Sequence, residues 1–419
     1  MGIMPLRILL TVLLSLSHAS VIKAQQRVQR HPSGTVSQSQ LIQVQAQSLQ
    51  FIDGSKVPFA QLYRYGDLRQ RVNRSWVVLR HGEVIVAEQL QLTSQGVRIR
   101  SLLWEPLLVQ WADVRAVIRN VPKVLSARDR LLETVFQDPA TDFVIFNKQT
   151  RLEAKFMIDD EGRIVFEESR LGRSFVTPFS AVRVCVFGEL EEAEFATAML
   201  GFADGSYGSA NSVTRNGSRL VWKTSTGVTL TSAEPLLALE GYNVWDHLEC
   251  LQPLKTDVVY LDEIEVLQAV TLPFFEGRLD NQLNEKLASV GLGRNSLGGY
   301  LRAGDRFAPH GIGMDSLSRV TFAVPETATS FVADIAIDPV AAKRGSVTFH
   351  VFLRGSSGDW KSAYSSGVIR GGDKSQVVRV PLAGSDEISL VVGMADRATV
   401  ADYANWLDAR FILQPSGKN

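Results

Sequence analysis

Trp76-Val-Val-Leu-Arg-His-Gly82, Asp142-Phe-Val-Ile-Phe-Asn-Lys148 and Ala198-Met-Leu-Gly-Phe-Ala-Asp-Gly205 are three versions of one feature, an apolar strand running into a turn. They recur at a spacing of roughly 55–70 residues, at or just beyond the usual range of repeat architectures. Each is followed by a second strand and another turn, at Gln95-Gly96, Glu161-Gly162 and Asn216-Gly217, and then by a third strand: Val97-Arg-Ile-Arg100, Ile164-Val-Phe-Glu167 and Ser218-Arg-Leu-Val-Trp-Lys223. Asn-Gly, Asp-Gly and other Gly-containing turns supply the positive φ that tight hairpins need. Each copy closes through a polar corner into a last apolar run, through Val117, Val184 and Leu239. This predicts three small, bent β-barrel or meander units at residues 49–120, 121–188 and 189–241, with Val78, Val144 and Leu200 pointing into separate cores. One helix is predicted, from Ser126 to Gln137, with Ser126 capping, Asp129 in the first turn and Leu131, Leu132 and Val135 on one face. It opens the second unit as a connector; Leu190–Phe195 is a weaker helix candidate.

Working outward, Arg7 precedes the apolar run 8–16, with small-residue cleavage options after Ala19 or Ala24. That pattern is a secretory signal peptide, assigned to residues 1–24. The run is about half the ~20 residues that a spanning helix requires, so the expectation is export to the periplasm, cell surface or medium with no membrane span. Residues 25–48, rich in Gln and Ser, are expected to form a flexible leader. Residues 242–257 read as a linker. Cys185 and Cys250 leave two readings open in an oxidising compartment, one disulfide or two buried thiols.

Lys plus Arg and Asp plus Glu number 44 each. A balanced chain has no overall basic field, so nucleic acid and anionic lipid are not expected partners. Beyond residue 258 the composition becomes Gly-rich. Phe331, Ala333, Ile335 and Ile337 alternate with Asp334 and Asp338, and further short strands fall at 347–353, 376–380, 388–392 and 407–413. Strands at this spacing predict a jelly-roll β-sandwich over residues 258–415.

The stretch Leu297-Gly-Gly-Tyr-Leu-Arg-Ala-Gly-Asp-Arg-Phe-Ala-Pro-His-Gly-Ile-Gly-Met-Asp-Ser-Leu-Ser-Arg-Val-Thr-Phe322 closely resembles the NPCBM family of carbohydrate-binding modules. The resemblance continues through residues 331–338, Gly345-Ser-Val-Thr-Phe-His-Val351, Gly367-Val-Ile-Arg-Gly-Gly372 and Asp402-Tyr-Ala-Asn-Trp-Leu-Asp-Ala-Arg410. Val259-Tyr-Leu-Asp262 and Leu272-Pro-Phe-Phe275 look like its opening segment. It implies a galactose-binding-like sandwich with a sugar-binding role. Where the family usually has His one residue after Met314, this chain has Asp315, and His310 is out of register with it.

Sugars are held by fixed polar groups on their hydroxyls and an aromatic face against ring C–H groups. Trp406 with Asp402 and Asp408, Asp315 with Asn295, and Trp360 on the loop 355–359 are the candidates. Trp406, just before a terminal strand, reads more readily as a core plug, and Asp402 and Asp408 also read as turn caps. No cofactor is expected, although Asp334, Asp338, Asp396 and Asp402 supply the oxygen chemistry of a structural Ca²⁺ site. His31, His81, His247, His310 and His350 are scattered without zinc spacing, and neither a nucleophile elbow nor a Walker loop is present. The cluster Asp246-His247-Leu-Glu-Cys250 is too local in sequence to face a nucleophile with its base. The expectation is a non-enzymatic exported protein that binds carbohydrate or a cell-surface glycan. The alternative is a cell-envelope structural or assembly protein whose β-modules bind protein partners.

Overall fold

The computed structural model describes residues 27–30, 36–45, 48–59, 62–70, 74–137, 142–168, 173–188, 196–234, 243–254, 257–271, 290–396 and 399–414. The signal peptide, the weaker helix at 190–195, the run 235–241 and the family-like segment 272–275 lie outside them.

The first unit runs Ser75–Leu79, Val84–Ala87, Gln89–Thr93, Gly96–Arg100, Leu107–Gln110, a 3-10 turn Trp111–Asp113, and Val114–Ile118. The second repeats this order with Phe143–Phe146, Arg151–Glu153, Phe156–Ile158, Arg163–Glu168, Arg173–Pro178, a 3-10 turn Phe179–Ala181, and Val182–Val186. In the third, one long strand, Tyr207–Asn216, takes two strand positions between Ala198–Phe202 and Arg219–Thr224. Within each unit the opening strand pairs with the second and with the last.

The turn after the opening strand has one hydrogen-bond pattern in all three units. Leu79 N–H donates to Glu83 O (2.8 Å) and Gly82 N–H to Leu79 O (3.0 Å). Phe146, Thr150 and Gln149 repeat the pair at 2.9 and 2.8 Å, and Phe202, Ser206 and Gly205 at 2.8 and 2.9 Å. The residue before the return strand has φ of 86° at Gly82, 64° at Gln149 and 91° at Gly205. The positive φ is thus set by the hydrogen bonds, and glycine meets it without steric cost. Gly96, expected in a turn, instead opens a strand. A Cβ there would lie 2.1 Å from Val109 O, so it is close backbone approach that requires glycine.

Three expectations are corrected. A further copy precedes the others: Arg27–Arg30, Val36–Ser39, Leu41–Gln45, Ser48–Phe51, Lys56–Pro58 and Arg64–Gly66 follow the same order and pairing. Residues 25–48 therefore contain strands rather than a flexible leader, because their backbone groups find partners in residues 64–65 and in their own hairpins. The linker 242–257 contains the third unit's closing strand, Leu248–Pro253, which pairs with Ala198–Phe202 and with residues 65–66.

The third correction concerns the cores. The opening, second and last strands of the four units join edge to edge and, with Arg219–Thr224 and Thr229–Thr231 of the third, form one 14-stranded sheet. Closing strands meet between the first and second units and between the third and leading units, and Tyr207 bridges Val84 at the centre. Edge-to-edge fusion removes exposed strand edges, and the units share one interior cluster that includes Val77, Val144 and Leu200. Val78 faces the opposite side, with Trp76, Val84 and Val86. Both faces being covered is why residues 76–79 read as an unbroken apolar run rather than an alternating one.

The opposite face is covered by helix α1, Leu125–Gln137, whose Leu132 and Val135 pack against Trp76 and Val78. The helix begins one residue before Ser126, so Ser126 is inside its first turn, and Asp129 turns to Arg302 instead of capping. Cys185 lies in the interior cluster and Cys250 in the cluster on the opposite face, so no disulfide joins them.

The C-terminal sandwich has two six-stranded sheets. One is centred on Ala328–Ile337 and Ala404–Leu413, the other on Ser346–Arg354 and Glu387–Met394. Phe331, Ala333, Ile335, Ile337, Phe349, Leu390 and Trp406 fill the space between them. The outer face of the first sheet is not wet. The hairpin Leu301–Ala303 and Arg306–Ala308 lies on it, with Ala336 and Leu407 beneath Leu301 and Ala308. The same hairpin grips the repeats: Phe307 N–H donates to Leu68 O at 2.9 Å, and the Phe307 ring packs on Tyr207 and Tyr300.

Candidate functional site

Each candidate residue can now be placed. Trp406 is fully buried, its ring edge-on to Phe349 at 5.0 Å, so it is a core plug. Asp408 is buried at the seam between sandwich and repeats, where Arg64 and Arg306 bond its Oδ2 at 2.7 and 2.8 Å. Neither can touch a ligand. Asn295 is also buried. Its Oδ1 accepts from the N–H groups of Leu297 and Gly299, and its Nδ2 donates to Asp338 Oδ2 at 3.1 Å, so it shapes the loop 295–299.

That loop belongs to one end of the sandwich. The connections 315–317, 338–345 and 395–403 leave the strand ends on the same side. Leu317, Ala342 and Ala401 all have positive φ there, at 62°, 53° and 58°. Non-glycine residues in that region cost energy and persist where surrounding contacts hold them.

Asp315 and Asp402 meet at this end. Asp315 Oδ1 accepts from Ser296 Oγ at 2.8 Å, and Asp402 Oδ1 accepts from Ser346 N–H at 2.8 Å. Burial pushes the Asp315 carboxyl above its ordinary range; the Ser296 hydrogen bond opposes this and the Asp402 charge adds to it. Burial likewise raises Asp402, opposed by the Ser346 N–H and by Ser316, with the Asp396 charge adding. Asp402 Oδ2 and Ser316 Oγ are buried without a well-formed hydrogen bond, Ser316 lying near enough to favour the carboxylate, and Ser346 Oγ lies beside Asp396, whose carboxyl it helps hold below its ordinary range. Buried polar atoms are almost always paired, so Asp402 Oδ2 and Ser316 Oγ mark this loop end as a place where hydrogen bonding is incomplete. Ser296, Ser316 and Ser346 were not singled out from the sequence; Ser296 and Ser316 merely adjoin candidates, and Ser346 is brought in by the tertiary fold.

Trp360 is elsewhere. It sits on the edge strand Trp360–Ser365, 36% exposed, with Arg354 4.9 Å from its ring centre. It pairs with Arg354 at the far end of the strand whose near end, Ser346, holds Asp402. Eight strand residues separate these points, about 26 Å at ~3.3 Å per residue. Phe352 and His350 continue from Trp360 along the open face, with His350 Nδ1 and Nε2 against Ser365 (3.0 Å) and Thr348 (2.9 Å).

The four carboxylates read as oxygen donors for calcium have separate partners. Asp334 pairs with Arg306 at 2.6 Å, Asp338 accepts from Asn295, Asn405 and Val340 N–H, Asp396 pairs with Arg370 and Asp402 holds Ser346. Among the described residues no three of His, Cys, Asp and Glu gather around one point. His310, out of the site altogether, stacks on Tyr260 at 3.8 Å beside Asp262.

Among solved structures, the chain is similar to a CBM51 module from a Clostridium perfringens GH95 protein in complex with methyl-galactose. The identity is 21%, over 37% of this chain and 99% of that one, with a TM-score of 0.30. The tandem CBM51 modules of a Streptococcus pneumoniae family 98 glycoside hydrolase match at 14% identity over 65% of this chain and 88% of that one, TM-score 0.30. A Renibacterium salmoninarum protein named "Putative endo-alpha-N-acetylgalactosaminidase" is 30% identical over 112 residues, 27% of this chain but 7% of that protein. Residues 276–412, which include most of the sandwich, match the family model of the NPCBM/NEW2 domain.

Proposed function

We propose that this is an exported, non-catalytic protein whose NPCBM/NEW2 sandwich binds carbohydrate at the loop end around Asp315 and Asp402. The observation that carries the reading is the convergence of Asp315, Ser296, Asp402 and Ser316 at one loop end, with Asp402 Oδ2 and Ser316 Oγ lacking a hydrogen bond, inside a segment that matches a carbohydrate-binding-type family. Carboxylates and hydroxyls at fixed positions accept from and donate to saccharide hydroxyls. An unfilled buried acceptor carries a desolvation cost of about 1–3 kcal/mol that a bonded ligand relieves.

The test is a glycan panel of neutral and acidic saccharides against residues 25–419, read beside Asp402→Asn and Ser316→Ala. Binding of at least one neutral glycan that weakens about tenfold in either variant, a loss of about 1.4 kcal/mol, supports the reading. Silence across the panel, or binding indifferent to both substitutions, overturns it. Release of reducing sugar by the purified chain would overturn the non-catalytic part alone.

A further inference from the structure

The first repeat unit carries an open cavity of about 560 Å³ on the outer face of its three-stranded sheet. That size falls within the ~300–1,000 Å³ of small-ligand sites. Its lining includes Gln89, Gln91, Arg98, Arg100, Pro106 and Leu108. The register explains their convergence. Arg98 stands opposite Gln91 on one side and Leu108 on the other, and Arg100 opposite Gln89. Val97 and Ile99, on the other side of the pleat, are fully buried in the shared interior.

The two arginines leave the same face of one strand with their Cα atoms about 7 Å apart, and their like charges repel. Among the described residues neither has an ion pair. The acidic residues beside the cavity are already engaged: Glu88 pairs with Arg74, and Glu105 with Arg219 at 2.6 Å. The cavity therefore holds uncompensated positive charge in a chain whose formal charges balance.

Comparison among the units shows that folding does not call for those arginines. Aligned on the buried pair Val97 and Ile99, the equivalents are Leu49 and Phe51, Ile164 and Phe166, and Leu220 and Trp222. The outward positions of Arg98 and Arg100 then correspond to Gln50 and Ile52, Val165 and Glu167, and Val221 and Lys223. One fold tolerates all of these, so the arginine pair answers to something other than the fold.

We propose that this face of the first unit binds an acidic saccharide, one bearing carboxylate or sulfate groups. Arg98 and Arg100 pair with its anionic groups, since guanidinium matches both geometries in bidentate fashion. Gln89 and Gln91, alternating with them across the strands, exchange hydrogen bonds with neutral hydroxyls, and Leu108 contacts the ring. No aromatic side chain lines the cavity, so it lacks the stacking platform that single-stranded nucleic acid uses. The assignment is independent of the loop end of the sandwich.

Calorimetric titration of the full mature chain tests it, with an oligogalacturonate, a heparin-derived sulfated oligosaccharide and, as competitor, a single-stranded DNA of equal charge. The two saccharide arms distinguish carboxylate from sulfate. Binding of either saccharide, weakened about tenfold or more in the double variant R98Q/R100Q with an unchanged melting temperature, and unaffected by D402N, is the expected result. Undiminished affinity in R98Q/R100Q, no binding of either saccharide, or equally tight binding of the DNA overturns the assignment. Loss in D402N alone points to the loop end and also overturns it.

Discussion

Arg64 Nη1 donates to Asp408 Oδ2 at 2.7 Å, joining the closing strand of the leading repeat to the last strand of the sandwich across 344 residues of sequence. Both side chains are fully buried, and Arg306 and Arg410 complete the cluster, with Arg410 lying 3.6 Å over the Tyr63 ring. Burial alone would raise the Asp408 carboxyl, but Arg64, Arg306 and Arg410 together hold it far below the usual carboxylate range.

Removing that charge takes the shared carboxylate from two buried guanidiniums, leaving Arg306 with Asp334 at 2.6 Å and Arg64 with the more distant Asp67 at 3.5 Å. Asp408 has φ 53°, a conformation Asn tolerates, so Asp408→Asn isolates the charge from the backbone. A loss of about 3–5 kcal/mol is expected in denaturant unfolding; a change under about 1 kcal/mol would contradict the role given to the seam. A depressed folded pKa contributes stability above the unfolded value of about 3.9 and loses it as pH falls through the folded value. Mild acid should therefore leave this contribution in place.

Arg302 and Asp129 form a second clamp, between the sandwich hairpin and helix α1, with bonds of 2.7 and 2.6 Å to the two carboxylate oxygens. A double-mutant cycle with Arg302→Gln and Asp129→Asn should give a coupling of about 1.5 kcal/mol or more. Additive single effects would mean that the pair does not hold the two halves together.

The two tryptophans proposed from the sequence should part company. Trp406→Ala opens a cavity in the sandwich core and is expected to cost about 3–5 kcal/mol. Trp360→Ala, at an exposed edge, should stay within about 0.5 kcal/mol. Similar melting temperatures for the two variants would refute this placement.

Burial lowers the pKa of His310, but the hydrogen bond and charge of Asp262, with Glu263 and Asp408 beyond, outweigh it and raise the net value above 6.5. A raised histidine pKa gives stability that is complete below the unfolded value and is lost as pH rises through the folded one. His310→Gln should therefore cost more at about pH 5.5 than at about pH 8.5. An NMR titration placing the imidazole pKa below 6.5 would reverse the sign and reject the account.

The strands of the sandwich and most strands of the three repeats were legible because local pattern causes them. Phe331, Ala333, Ile335 and Ile337 alternate because one side of their strand meets the other sheet, and the turn at Gly205 announces its positive φ. The leading unit was not legible: Gln and Ser dominate 37–45, and the strands there are held by backbone pairing, 36–39 with 27–30 and 41–45 with 48–51, while 29–30 pair with 64–65. Leu248–Pro253 was missed for a similar reason, since a closing strand is defined by its neighbours at residues 198–202 and 65–66.

For function, the sequence by itself determined the β architecture and the likeness of residues 297–410 to a carbohydrate-binding family, both properties of order along the chain. Only the tertiary structure decided which candidates are buried in the core and which converge. It buried Trp406 and Asp408, set Trp360 on a different surface from Asp402, and gathered Asp315 and Ser316 of one connection with Asp402 of another and Ser346 at the start of a strand. Accessibility and convergence depend on where sheets and loops meet in space, and residue type along a strand records only which side of the pleat a side chain occupies.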